Sequence, residues 1–250
     1  MSKQKQKSVF KQEKSLWIYG RHPVESALLN PNRYKIELYL VHGVTLKNIP
    51  HTLPVRFISK AELESLLPQG AVHQGMALKC RPLNNINETQ FLKRLSQKEK
   101  SVVMLLDQVT DPHNVGAVLR SAVAFRADAV IIPADGAPDE TGVLAKSASG
   151  ALDLIPLIKV TNLTRMMEKL KKINFWCIGM DGNAQKPAYD DKLPSKCAFI
   201  MGSEGDGLRR LTQATCDYMT KVPINPKIDR LNVSNAAAIV LYEWNRQHHD

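Results

Sequence analysis

Five polar side chains, placed in three short segments of the last 150 residues, are of types that can bind and orient a polar ligand. Asn114 and Arg120 lie in the first segment, Glu204 lies in the second, and Asn232 and Ser234 lie in the third. Each segment follows an apolar, strand-like run, at a turn or at the start of a helix. Because open α/β sheets bind ligands at the carboxyl ends of their strands, the three loops predict one pocket.

The first segment predicts a helix that holds Arg120 near this pocket. Asp111 can cap the helix and Pro112 suits its first position, so we expect a helix from Pro112 to Phe125. Gly116 precedes Arg120 by four residues, and helical side chains lean towards the N-terminus, so the glycine would leave room for the guanidinium. The alternative is an ordinary solvated arginine and a glycine that the helix tolerates at a cost of ~1 kcal/mol.

The second segment is a glycine-rich turn, and the third begins the final helix. Gly202, Gly205 and Gly207 let the backbone turn tightly and approach a ligand closely. No G-x-G-x-x-G opens a helix after a first strand, and no GK[ST] phosphate loop exists, which disfavours a nicotinamide or ATP enzyme. Asn232 or Ser234 could simply cap the final helix, and for Ser234 this alternative has the same weight as a role in the site.

Six apolar runs, separated by helical patterns, predict the sheet that must position these segments. Runs without polar alternation are typical of strands covered on both faces, which indicates a mainly parallel sheet between helices. The runs lie at 102–106, 130–132, 154–158, 175–178, 197–201 and 219–224. Backbone amides at 222–225 would reach the same edge as the three segments.

The first 90 residues predict a separate, smaller α/β unit. Strand patterns at 16–19, 36–41, 55–58 and 76–80 are interspersed with helical patterns at 23–29 and 60–67. We therefore divide the chain into a basic, disordered tail at 1–14, a small α/β domain at 15–88, a linker at 89–100 and a larger α/β domain at 101–250. Within the linker, residues 90–100 are expected to form either a helix or an irregular connection.

Charge and composition narrow the class of protein. The net charge of +10 favours association with nucleic acid, and a solubilising surface excess is the alternative. No apolar stretch reaches the ~20 residues that span a bilayer, and the polar start is not a secretory signal, so we expect a cytoplasmic protein without a membrane partner. The cysteines lack C-x-x-C spacing and indicate buried thiols in a reducing compartment, without a metal site or a disulfide framework.

Together, the three segments resemble the signatures of the SpoU/TrmH family of RNA ribose 2′-O-methyltransferases, a branch of the SPOUT superfamily. Residues 106–122 resemble the first signature, 200–208 the second and 223–239 the third, within a match over about 102–244. Residues 19–28 resemble the opening of the substrate-binding domain of members that act on large-subunit ribosomal RNA. The resemblance implies a parallel-sheet α/β domain with a deep trefoil knot, S-adenosylmethionine as cofactor, and a homodimer with its active site across the interface.

The resemblance also implies roles for individual residues. The expected reaction is methyl transfer to a ribose 2′-hydroxyl, with a guanosine of 23S ribosomal RNA as substrate. The side chains expected around the reacting ribose are Asn114, Arg120, Glu204, Asn232 and Ser234. The positions expected to cradle the cofactor are Gly202, Val222, Ile224 and Leu231. RNA contacts are expected from Arg21 and His22. Arginine is effectively always protonated, so we expect Arg120 to orient the hydroxyl and stabilise the developing oxyanion, with His113 as an alternative base.

The third segment departs from the family pattern at two positions and in the loop before them. Arg230 stands where a serine is common, Asn235 stands where a small apolar residue is common, and 225–229 is not the expected Gly- and Ser-rich loop. Because Leu-Asn-Val-Ser is intact, these departures bear on substrate detail more than on activity. Two other functions stay open: a tRNA ribose 2′-O-methyltransferase, and a non-catalytic RNA-binding protein of ribosome assembly.

Overall fold

The computed structural model describes residues 15–189 and 192–249, so the predicted tail at 1–14 lies outside the described residues. A four-stranded sheet with the order β1-β4-β2-β3 forms the N-terminal part, and only its β2–β3 pair is parallel. Its elements are β1 (Leu16–Tyr19), α1 (Arg21–Leu29), β2 (Lys35–Val41), β3 (Val55–Ile58), α2 (Lys60–Leu66) and β4 (Met76–Cys80). The strand and helix patterns of the sequence therefore predicted this unit closely.

A six-stranded, wholly parallel sheet with the order β10-β8-β9-β5-β6-β7 forms the C-terminal part. Its strands are β5 (Ser101–Leu106), β6 (Ala129–Pro133), β7 (Leu157–Val160), β8 (Trp176–Met180), β9 (Lys196–Met201) and β10 (Tyr218–Thr220). Every residue of the central strands β5 and β9 is buried. Burial on both faces explains why these strands read as continuous apolar runs, and it confirms the predicted parallel sheet.

Helices cover both faces of this sheet. They are α3 (Glu88–Ser96), α4 (Pro112–Ala124), α5 (Gly142–Ser147), α6 (Leu163–Lys171), α7 (Arg210–Thr215) and α8 (Val233–His248). Met104 of β5 belongs to the buried cluster that α4, α5 and α8 form. Its neighbour Val103 belongs to a second cluster with α3 and α6. Successive strand residues point to opposite faces, so β5 lies between the two helical layers.

The structure decides one prediction that the sequence left open and differs from two others. For residues 90–100 the helix alternative holds, because α3 occupies most of the segment and buries Phe91 and Leu95, four residues apart, against the sheet. The run at 154–158 begins as a strand only at Leu157, because a 3-10 turn precedes it and Leu154 is exposed. The run at 219–224 ends as a strand at Thr220, and Pro223 could not donate to a further ladder bond.

The two sheets share one buried cluster and an ion-pair junction. Arg33, which follows α1, donates Nε to Asp153 Oδ1 at 2.9 Å and Nη2 to Asp153 Oδ2 at 3.0 Å. Its Nη1 also donates to Glu140 and, at 3.1 Å, to the carbonyl oxygen of Arg81. The Arg33 side chain is fully buried and that of Asp153 is 2% exposed. The N-terminal sheet is therefore fixed against the layer of α4 and α5.

The four cysteines are free; Cys80, Cys177 and Cys197 are buried and Cys216 is half-buried. Burial raises the pKa of Cys80, Cys177 and Cys216 to about 12, and it raises the pKa of Cys197 as well. Among the residues that the structure describes, no three His, Cys, Asp or Glu side chains group in a way that could hold a metal ion. No helix in the described part of the chain is long and apolar enough to cross a membrane.

Candidate active site

The site lies at the carboxyl ends of β5 and β9, two neighbouring strands in the middle of the sheet. Leu106 pairs with Met201, and the Asp107 amide donates to the Met201 carbonyl oxygen at 2.7 Å. From here the chain leaves β5 towards α4 on one face, and leaves β9 towards α7 on the other. Loops that diverge in this way open a crevice at the edge of a parallel sheet, which is where such sheets bind ligands.

Three predicted side chains meet at this crevice in one hydrogen-bonded cluster. Asn232 donates Nδ2 to Glu204 Oε1 at 2.7 Å and to Asn114 Oδ1 at 2.9 Å. Asn114 donates its own Nδ2 to Glu204 Oε1 at 3.2 Å. Glu204 and Asn232 are exposed and Asn114 is half-buried, so the cluster faces solvent. The structure thus joins all three segments of the sequence, as their positions after strands predicted.

Asn232 also caps α8, so the capping interpretation and the site interpretation hold together. Its Oδ1 accepts from the Ser234 amide at 2.8 Å and from the Ser234 hydroxyl at 2.6 Å. The capping bonds direct Oδ1 towards the helix and leave Nδ2 directed at Glu204. Glu204 Oε1 accepts from both amides, whereas Oε2 accepts no hydrogen bond from any described residue. Oε2 is therefore the acceptor that the site offers to a ligand.

Arg120 is not part of this cluster within one chain. Its side chain is exposed and makes no hydrogen bond or ion pair with any residue in the described ranges. Six helical positions separate it from Asn114, so the two side chains leave α4 in different directions.

The interpretation of Gly116 as room for Arg120 is wrong. A Cβ at this position would lie 2.5 Å from Ser147 Cβ and 2.8 Å from the Ala148 nitrogen. The glycine instead permits close packing of α4 against α5.

The second segment forms a turn that closes on itself. Ser203 and Gly207 exchange backbone hydrogen bonds of 3.1 and 3.2 Å, and Gly207 adopts a φ of 67°. A Cβ on Gly202 would lie 2.1 Å from the Gly207 carbonyl carbon, so this glycine is required by the turn itself. Arg230, the departure from the family pattern, donates Nη1 to the Glu204 carbonyl oxygen and so ties the third segment to the second.

Of the remaining predicted residues, the expected cofactor positions and His113 lie on the loops and helix of the cluster, whereas the expected RNA contacts lie at α1. Val222, Ile224 and Leu231 are half-buried on the loops after β10, and Val222 packs against the core. His113 is exposed beside Asn114, and its Nδ1 lies 3.0 Å from the Ser147 hydroxyl. The exposed Arg21 and His22 lie instead at the start of α1, where Arg21 pairs with Glu25 at 3.2 Å.

Two family models match the chain. The model described as the SpoU rRNA Methylase family matches residues 101–242, and the model described as RNA 2′-O ribose methyltransferase substrate binding matches residues 17–86. The chain belongs to the SpoU rRNA methylase family. The two matched regions of this SpoU methylase contain the two sheets except for Leu16, the first residue of β1. The larger match contains the whole Asn114–Glu204–Asn232 cluster.

Relatives match nearly the whole SpoU methylase chain. A Vibrio cholerae protein named 23S rRNA (guanosine-2′-O-)-methyltransferase RlmB is 37% identical over 92% of this chain and 96% of its own length. A Haemophilus ducreyi protein of the same name is 38% identical over 92% and 97%. Both relatives therefore extend across the N-terminal sheet as well as the parallel sheet.

Solved structures share the fold. The SpoU methyltransferase AviRb from Streptomyces viridochromogenes superposes with a TM-score of 0.78 at 22% identity, over 94% of this chain and 90% of that chain. The A. aeolicus TrmH/SpoU tRNA modifying enzyme superposes with a TM-score of 0.54 at 22% identity, over 64% of this chain and 83% of its own. The match to AviRb extends over far more of the SpoU methylase than the match to the tRNA enzyme.

Sequence reasoning missed one interaction that supports the site. Asp107, at the end of β5, is fully buried, and its Oδ1 accepts from Arg209 Nε at 2.7 Å and Nη2 at 2.6 Å. Its Oδ2 accepts from the Arg209 backbone amide at 3.1 Å. This pair joins the loop of the first segment to the loop of the second. The available signal was a carboxylate directly after the apolar run at 102–106, because a buried carboxylate requires a partner.

Proposed function

We propose that this chain transfers a methyl group from S-adenosylmethionine to the ribose 2′-hydroxyl of a guanosine in 23S ribosomal RNA. The Asn114–Glu204–Asn232 cluster carries the proposal, because three separate loops converge on polar groups that can hold one hydroxyl. Relatives of 37–38% identity that bear this activity in their names match the chain over both sheets, which supports the same substrate class.

The loops beside the cluster suit the cofactor. Gly202, Val222, Ile224 and Leu231 are half-buried positions on loops that follow β9 and β10, and the apolar side chains among them can contact a purine ring. AviRb has also been solved in complex with AdoMet, with a TM-score of 0.78 to this chain. When bound, S-adenosylmethionine supplies an electrophilic methyl group on a sulfonium.

The cluster would align the nucleophile and accept its proton. A ribose hydroxyl attacks well only as it loses its proton, so a fixed carboxylate within hydrogen-bonding reach accelerates the step. Glu204 Oε2 is open for this contact, while Asn114 and Asn232 hold Oε1 in place. Ser234 fixes the orientation of Asn232 and thereby the direction of the carboxylate.

Arg120 would act on this centre from a second copy of the chain. Its guanidinium would orient the 2′-hydroxyl and stabilise the developing oxyanion with its positive charge and N–H donors. Within one chain it is exposed and unpaired among described residues, which suits a residue that completes the partner's site. Ile239 and Tyr242 of α8 are 43% and 51% exposed and offer apolar surface for a homodimer.

The N-terminal domain, with Arg21 and His22, would bind the ribosomal RNA. The net charge of +10 supports an RNA partner. A tRNA substrate is less favoured, because the tRNA enzyme superposes on only 64% of this chain. Membership of the family supports the proposed trefoil knot, and the proposed ribosomal substrate supports a cytoplasmic location.

A methyl-transfer assay tests the function. Tritiated S-adenosylmethionine would be incubated with large-subunit RNA or total tRNA, using the wild type, Arg120→Ala, and Arg165→Ala as a matched control. Arg165 is an exposed arginine on α6, which belongs to the opposite helical layer. We expect ribose label in ribosomal RNA, lost with Arg120→Ala and retained with Arg165→Ala. Label in tRNA alone, or equal activity of both variants, would contradict the proposal.

A further inference from the structure

A cleft of about 570 Å³, lined by both apolar and polar side chains, lies beside the active site at the carboxyl ends of β5, β6 and β7. The starts of α6 and α7 form one wall, and the loops after β5 and β6 form the other. The side chains that line it and can hydrogen-bond a ligand include Gln108, Thr110, Asp135, Asn162, Arg209 and Arg210. Nothing in the proposed chemistry uses this cleft.

The cleft and the active site share two loops. Thr110 precedes Asn114 by four residues, and Arg209 follows Glu204 by five residues. Fully extended chain covers at most about 3.6 Å per residue, so these pairs are separated by no more than about 14 and 18 Å. These limits place the cleft near enough for a nucleotide whose ribose contacts Glu204 to direct its base towards it.

Charge in the cleft is divided between one carboxylate and one guanidinium. Arg209 is neutralised by its bonds to the buried Asp107. Asp135 and Arg210 are both exposed, and neither makes a hydrogen bond or ion pair with another residue of the described ranges. A site for phosphate alone would not include Asp135, because a carboxylate repels an anion.

Guanine matches this pair of charges better than the other bases do. Its N1–H and N2–H groups are adjacent donors that a carboxylate can accept, and its O6 and N7 are acceptors that arginine recognises. Adenine and cytosine offer no such donor pair, and uracil offers a single ring N–H. Gln108, which lines the cleft, is a non-glycine residue with a φ of 60°, a conformation that often marks binding sites.

We propose that this cleft binds the base of the guanosine that is methylated, with Asp135 contacting N1 and N2 and Arg210 contacting O6 and N7. The inference rests on the proposed function and deepens it, because it assigns the selectivity for guanosine to residues outside the Asn114–Glu204–Asn232 cluster.

The test compares RNA substrates that differ by one functional group on the target base. Once the methylated guanosine has been mapped, the RNA is rebuilt by ligation with inosine there, which lacks the N2 amine. Losing a hydrogen bond to a charged group predicts a kcat/KM about ten- to a hundredfold lower for the wild type. With Asp135→Ala, the two RNAs should react within about twofold of each other. Asp139 is an acidic residue on the same loop as Asp135 but outside the cleft. Asp139→Asn should therefore keep the wild-type ratio of kcat/KM between the guanosine and inosine RNAs.

A second pair of substrates tests Arg210. The wild type should methylate 7-deazaguanosine RNA more slowly than guanosine RNA, and Arg210→Met should remove this difference. If Arg210→Met instead lowered the methylation rates of the guanosine RNA and the 7-deazaguanosine RNA by the same factor, Arg210 would contact a backbone phosphate, and the assignment would be overturned. An unchanged guanosine-to-inosine ratio with Asp135→Ala would also overturn it while the proposed function stands. Absence of methylation by the wild type on any RNA would instead refute the proposed function.

Discussion

The buried junction between the two sheets predicts a large loss of stability when Arg33 is replaced by methionine. Methionine fills much of the aliphatic space but leaves the carboxylates of Asp153 and Glu140, 2% and 14% exposed, without their cation. Removing one partner of a buried ion pair costs about 3–5 kcal/mol, because the other charge stays buried and uncompensated. That cost is a large part of the ~5–15 kcal/mol that stabilises an ordinary folded protein.

An exposed ion pair on the N-terminal sheet supplies the matched control. Arg56 donates Nε to Glu37 at 2.7 Å, and its side chain is 64% exposed. Solvent and salt screen such a pair, so Arg56→Met should lower the free energy of unfolding by less than about 1 kcal/mol. Equilibrium urea unfolding of the full-length variants measures both effects.

A double variant distinguishes the cost of the unpaired buried carboxylate from the cost of lost side-chain packing. Adding Asp153→Asn to Arg33→Met removes one uncompensated carboxylate and should recover part of the lost stability. The reasoning would be refuted if Arg33→Met cost no more than Arg56→Met, or if the double variant were less stable than Arg33→Met alone.

Three further predictions concern packing, the site and the thiols. Gly116→Ala should lower the melting temperature, because overpacking against Ser147 costs about 1–3 kcal/mol and exceeds the ~1 kcal/mol gained in helix propensity. Gly182→Ala is the control, because a Cβ at that position meets open space. A Gly116→Ala variant more stable than the wild type would contradict the close packing of α4 against α5. Asn232→Ala should lower the free energy of unfolding by about 1 kcal/mol because it removes the cap of α8, whereas Asn232→Asp should keep the cap and the wild-type stability. Asn232→Asp should nevertheless lose methyl transfer, because a second carboxylate would face Glu204. An active Asn232→Asp enzyme would argue against the cluster. At pH 8 a thiol with a pKa of about 12 is ionised to only about one part in 10,000. Cys80 and Cys177 should therefore react with a disulfide reagent only after the protein unfolds. Rapid reaction of these thiols in the native protein would contradict their burial.

The sequence predicted the parallel sheet and the convergence of its loops because both depend on local patterns. Continuous apolar runs identify strands buried on both faces, and the carboxyl ends of parallel strands lie at one edge. Asn114, Glu204 and Asn232 each follow such a strand or begin the helix after it, so their meeting could be expected. The capping role of Asn232 was equally predictable from its position before α8.

What the sequence could not predict depends on which surfaces pack together. Gly116 was interpreted from its own helix, but its role comes from α5, whose distance in space no local pattern encodes. Arg33 and Asp153 are 120 residues apart and would each pass for a surface charge in the sequence. Phe91 and Leu95 lie in a segment for which the sequence predicted either a helix or a linker, because the many charges around them concealed one apolar face.

The contacts around the cluster explain why the departures in the third segment are compatible with an intact site. Asp107 and Arg209 join the first loop to the second, and Asn232 joins the third loop to both. Arg230 adds a bond from the third loop to the Glu204 backbone, at the position where a serine is common in the family. The longer side chain therefore strengthens a connection that Asn232 already makes. The departure changes how the loop is held, while the groups that face the ligand stay in place.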